Sequence, residues 1–236
     1  MDASFQAIGY AVCAGIIPPL IWLYFLLRED KRCPEPRALI FMAFVAGMVA
    51  VPLVIPFESY AANHLQDGLP VILAWAIIEE TMKYGVAAVF ILWHRAVDES
   101  LDLVIYMITV ALGFAALENT FFLITPFIHG DFANGLITDN LRFIGSTLLH
   151  VVASSAIGFA LAFSYKKSRP VRIIAAACGL ILAVALHSAF NFFIITQNGS
   201  QTIIAFLVVW TGVVAFFALF EVLKYFRYRN LPPNTC

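Results

Sequence analysis

The sequence predicts an all-α, polytopic membrane helix bundle, and three observations carry that expectation. Of 236 residues, 62% are apolar and only 12% are charged, where ordinary globular proteins carry about 25% charged residues. The apolar residues fall in runs long enough to cross a bilayer as helices, which takes roughly 20 residues each. These runs lack the apolar and polar alternation of barrel strands, the other structure that satisfies every backbone group inside lipid.

Seven spans are expected, in one integral membrane domain covering residues 1–236. The first, 5–27, follows Asp2 instead of a basic leader and is too long for a signal-peptide core, so it reads as a retained span. The second, 38–57, begins after a basic loop, and the third, 70–93, is apolar except for Glu79, Glu80 and Lys83. The fourth, 101–124, carries Glu118 and Asn119, and the fifth, 142–163, carries His150. The sixth and seventh, 172–195 and 202–220, come largely from the stretch 173–220, which contains no Asp, Glu, Lys or Arg and which the polar run Thr196 to Thr202 divides. No repeat or linker interrupts this order, and the long connection 125–141 is a candidate lid.

Orientation follows from the bases, because Lys and Arg are retained in cytoplasmic loops. Twelve of the fourteen fall in alternate connections and in the C-terminal tail, the exceptions being Lys83 and Arg142. The N-terminus is therefore expected outside and the C-terminus in the cytosol. A net charge of −1 without a basic patch gives nucleic acid no footprint. Cys13, Cys33, Cys178 and Cys236 form no close-spaced pair, which argues against a zinc ribbon or redox motif.

Ionisable groups inside a span are costly, about 2.5–3.5 kcal/mol each on insertion scales, and mark function by default. Counting at about 1.5 Å per residue from the outer end of each span, Glu79 and Glu80, Glu118, His150 and His187 all lie within about 9–14 Å of that end. Four helices thus deliver polar groups to one layer. Lys83 stands at i+4 from Glu79 and i+3 from Glu80, where it pairs with either. His187 and Asn191 share a helix face, as do Arg142, Ser146 and His150.

Three carboxylates, two imidazoles and a carboxamide suit activation of water. A glutamate serves as general base, imidazoles and a carboxylate hold an open catalytic Zn²⁺ site, and Asn191 is an oxyanion donor. Two other classes use the same groups: a proton-coupled transporter, and a non-catalytic scaffold binding other membrane helices. The transporter needs a polar path to both faces, whereas Val86, Ala87, Ala88, Val89 and Phe90 lie below Lys83.

Glu79-Glu80-Thr81-Met82-Lys83 resembles an EExxK motif, Phe114 to Glu118 an FxxxE motif, and His187 to Asn191 a final Hxxx[D/N] motif. Together and in this order they resemble the PrsW family of bacterial intramembrane proteases, related to the type II CAAX prenyl proteases, over a catalytic core of roughly residues 70–195. The resemblance implies hydrolysis of a peptide bond in a membrane protein, such as an anti-sigma-factor-like regulator, in a bacterial or archaeal plasma membrane. It implies Glu79, Glu80, Glu118, His150, His187 and Asn191 as catalytic groups, with Lys83 supporting; Arg142, at the outer end of the fifth span, is expected to support the site from its position alone. It also implies a metal, expected to be Zn²⁺ on Glu118, His150 and His187. Asn191 departs from relatives that carry Asp there, a stronger ligand than an amide.

Overall fold

The computed structural model describes the backbone of residues 3–30, 33–130, 132–195 and 202–229, and side chains within 5–30, 33–130, 145–194 and 203–229. Seven helices follow one another in the described residues: α1 (Ala3–Glu29), α2 (Arg37–His64), α3 (Leu69–Phe90), α4 (Ser100–Ile128), α5 (Phe132–Phe163), α6 (Arg169–Ile195) and α7 (Thr202–Tyr228). Among the described residues there is no strand. Six of the helices are long and apolar enough to cross a membrane. The remaining one, α3, has 22 residues but carries Glu79, Glu80 and Lys83.

Several helices outrun the apolar segments that predict them. α2 continues through Pro52 and Pro56 to His64, which places Glu58 on a helix instead of in a connection. Prolines are tolerated in such helices because neighbouring groups satisfy the freed carbonyls. The expected long loop 125–141 is also corrected: α4 runs to Ile128, and α5 is helical from Phe132. A turn at His129 and Gly130, the latter at φ +75°, makes the break, so the described residues of 125–141 form no long loop. The polar run at 196–201 lies outside the described residues.

α4 is the central element. Every residue from Leu101 to Ala116 is buried, as expected of a helix that is apolar all round and enclosed by others. It packs against α1, α2 and α5, while α3 packs chiefly against α2 and α6. The start of α4 is fixed by a capping box, in which Glu99 and Asp102 each accept the other's backbone N–H. Gly47 and Gly113 let α2 and α4 touch backbone to backbone. A Cβ on Gly113 would run into the Phe44 carbonyl, and one on Gly47 into that of Val110.

Polar side chains tie α1, α4, α7 and the α1–α2 connection together at the end opposite the α2–α3 turn. Lys224 Nζ reaches Glu29 at 3.1 Å, Arg227 Nη2 donates to Glu99 at 2.6 Å, and the Tyr228 hydroxyl donates to Asp30 at 3.2 Å. The Tyr106 hydroxyl donates to Glu35. Burial pushes the Asp30 carboxyl up to about 7, and burial together with a hydrogen bond to Asp102 pushes Glu35 up to about 9.

Candidate active site

Helical spacing on α3 turns Glu79, Glu80 and Lys83 inward, all buried. Lys83 is wholly enclosed, and its ammonium donates to Glu80 Oε1 at 2.6 Å and stands 3.5 Å from Glu79 Oε2. It also lies over the Phe114 ring, 4.4 Å from the centroid, a favourable place for a desolvated cation. From α5, His150 Nδ1 meets Lys83 Nζ at 2.8 Å while Nε2 meets Glu118 Oε2 at 2.8 Å. From α6, His187 Nδ1 meets Glu80 Oε1 at 2.8 Å. The two imidazoles are edge to face, with centroids 5.2 Å apart.

The adjacent glutamates differ sharply in their surroundings. Glu80 is enclosed, and three donors occupy its oxygens: Lys83 and His187 at Oε1, and the Ser154 hydroxyl at Oε2, 3.0 Å away. Glu79 lines a cavity, and its Oε2 is buried without a hydrogen-bond partner. An orphaned buried acceptor is expensive, commonly about 1–3 kcal/mol, and such atoms in native proteins call for an explanation.

The cavity has a volume of about 330 Å³. Glu79, Glu118, His150 and His187 line its deep end, and its wall extends to Ser59 and Ala62, which are exposed near the end of α2. Asn191 lies half-buried on the wall, one turn beyond His187. Asn119, also on the wall, donates to Thr147 Oγ1 at 3.0 Å and so ties α4 to α5. The side chain of Arg142 lies outside the described residues.

Could these residues hold a metal? Ligand atoms of Glu79, His150 and His187 lie within 4.8 Å of one another. This trio differs from the expected set, because Glu79 takes the place given to Glu118. Each histidine also has a carboxylate on one nitrogen, His187 with Glu80 and His150 with Glu118. That pattern is common for metal-ligating imidazoles, since the carboxylate fixes the tautomer and orients the ring. For His187 it leaves Nε2 facing the orphaned Glu79 Oε2 at 3.9 Å. His150 is more constrained. Lys83 can only donate, so Nδ1 accepts and Nε2 carries the proton toward Glu118. It becomes a ligand only by exchanging one of those partners. With that exchange, the donor set fits a metal centre.

Three participants were not legible in the sequence. Glu58 and Trp75 line the cavity, and the Trp75 indole N–H donates to the Glu58 backbone carbonyl at 3.1 Å. Trp75 is thus part of the site wall. Glu58 reads as a loop residue because the apolar run of α2 stops at Phe57. Ser154 looks like any small residue of a membrane helix interface, and nothing in the sequence marks it as the partner of Glu80.

A bundle of membrane helices that buries carboxylates and imidazoles around a cavity is the architecture of an intramembrane hydrolase that activates water. The chain matches the family described as PrsW family intramembrane metalloprotease over residues 35–221. It belongs to that family, and is therefore a multi-pass membrane protease acting on protein substrates. It is similar to Protease PrsW of Oceanobacillus iheyensis, 28% identical over 231 residues that cover 94% of this chain and 96% of the relative. Protease PrsW of Geobacillus kaustophilus is 29% identical over 167 residues, covering 67% and 69% of the two chains. That of Bacillus subtilis is 25% identical over 185 residues, covering 77% and 81%. No solved structure matches.

Proposed function

We infer that the chain cuts a membrane-protein substrate at a bond presented to the deep end of the cavity, with Glu79 as the carboxylate that activates water. The orphaned Glu79 Oε2 carries this reading: of the two adjacent glutamates, it alone has a free acceptor atom on the cavity. Glu79 takes a proton from water as the oxygen attacks the carbonyl, and returns it to the amine nitrogen as the C–N bond breaks. Glu80 holds His187 and Lys83 in place through Oε1, while Ser154 donates to its Oε2. Asn191, on the wall beside His187, is placed to donate to the developing oxyanion, and Glu118 orients His150. Closely packed helices around the site limit bulk water, so these charges act at low dielectric.

A metal held by Glu79, His150 and His187, expected to be Zn²⁺, would polarise the carbonyl and acidify bound water. The expected location is a bacterial or archaeal plasma membrane, crossed seven times with α3 as one span. An anti-sigma-factor-like single-span protein is a substrate of the right kind.

The test is cleavage of a single-span substrate by the purified protein in liposomes, with metal content measured on the same samples. Glu79→Gln is expected to lower kcat by about 10²–10⁴-fold, the usual scale of general-base catalysis. His187→Ala is expected to lose bound metal along with activity. Full activity in Glu79→Gln would overturn the assignment. Stoichiometric metal in His187→Ala would remove that residue from the ligand set.

A further inference from the structure

Glu58 has no part in the water-activating arrangement, yet its carboxylate belongs to the same cavity. It sits on α2 six residues before the helix ends at His64, about 9 Å from that end at 1.5 Å per residue. Glu79, ten residues into α3, is about 15 Å deep by the same measure. Glu58 therefore stands nearer the mouth, between the exposed Ser59 and Ala62 and the reacting groups. Glu58 and Glu79 line the same cavity, so whatever Glu58 binds adjoins the reaction centre. The indole of Trp75 anchors the Glu58 backbone from α3, which holds this part of the wall in register with the site.

The charge on the wall points to what it binds. Three carboxylates, Glu58, Glu79 and Glu118, face the cavity, and no Lys or Arg is among its described lining residues. Glu118 is paired with His150, and Glu79 is committed to the reacting water. Glu58 is left as an acid near the mouth that no described cation pairs. A carboxylate at the edge of a low-dielectric site attracts a cation and repels an anion strongly. Half of the wall is apolar, with Ile55, Phe122, Leu123, Phe190 and Ile194 suited to a hydrophobic segment. A substrate that matches both features is an apolar span bordered by a basic residue.

Building on the proteolytic reading above, we propose that Glu58 is a specificity-determining residue, whose carboxylate receives a Lys or Arg side chain flanking the substrate's membrane segment on the side where the cavity opens. A basic side chain has the length to keep its stem along the apolar wall while its charge reaches toward the mouth.

The experiment uses the full chain in liposomes with synthetic single-span peptides that carry Lys, Gln or Glu at successive positions flanking the cleaved bond. At one position, Lys is expected to raise kcat/KM over Glu by about tenfold or more, chiefly through KM. Glu58→Gln should abolish that preference, and Glu58→Lys should reverse it in favour of Glu. A uniform fall in kcat on every peptide would overturn the proposal, making Glu58 a positioning partner of Glu79. An unchanged preference in Glu58→Gln, or no lysine preference in the wild type, would also overturn it. Wild-type failure on the uncharged parent peptide would count against the Glu79 mechanism itself, a separate outcome.

Discussion

Glu79 and Glu80 are neighbours in sequence with opposite environments. Helical geometry turns successive side chains by about 100°, so one carboxylate meets the cavity and the other meets Lys83, Ser154 and His187 inside the bundle. The sequence marks both as out of place in a span, but their division depends on which helices pack against each side of α3. Breaking a buried, hydrogen-bonded ion pair commonly costs about 3–5 kcal/mol, because the remaining charge is left uncompensated. Glu80→Gln is therefore expected to lower the unfolding temperature in detergent and to reduce activity. Glu79→Gln should leave the unfolding temperature nearly unchanged and remove activity alone. Equal destabilisation by the two variants would mean that Glu80 is not the anchor of the site.

Among the elements, α4 carries the greatest positional burden. Its sequence announces a span but not its centrality, which shows only in the absence of a polar face over Leu101 to Ala116. Element existence was legible throughout, because apolar length decides it, and so was the convergence of four helices at one depth. Element ends were less so. Apolarity stops at Phe57 while the α2 helix runs to His64, since a helix entering the headgroup region no longer needs an apolar side chain at every position. That difference hid Glu58. The α2–α4 contact was equally hidden, because a glycine in a membrane helix does not say which backbone approaches it. Gly113→Ala places a methyl group against the Phe44 carbonyl, a backbone atom that cannot rotate away. Overpacking commonly costs about 1–3 kcal/mol and sometimes more. The expected result is a markedly lower unfolding temperature, with activity falling in proportion as α4 carries Glu118 away from His150. Gly9→Ala, with open space around its Cβ, is the control and should be neutral.

For the whole molecule, the two ends of the bundle differ in chemistry. One end gathers Asp30, Glu35, Glu99, Lys224, Arg227 and Tyr228 in contacts that join the α1–α2 connection, the start of α4 and the end of α7. The basic residues flanking the helices belong to the same end: Arg28, Arg37, Lys166, Lys167 and Arg169. The cavity opens toward the other end, near the close of α2. Retention of Lys and Arg in the cytoplasm then predicts the joined end in the cytosol and the cavity mouth outside if α3 crosses the membrane. Its three buried ionisable groups do not prevent this, because each faces the bundle interior and has a partner or the cavity beside it. Single cysteines in a background with the four native ones replaced test the arrangement directly. Asp67 and Lys166 are both exposed, and they lie at opposite ends of the bundle. Asp67→Cys is expected to react with a membrane-impermeant maleimide in intact cells, and Lys166→Cys only after permeabilisation. The reverse pattern would invert the topology and place the mouth in the cytosol. Reaction at both positions in intact cells would mean that α3 does not cross, and that the site is reached from a single side by a re-entrant path.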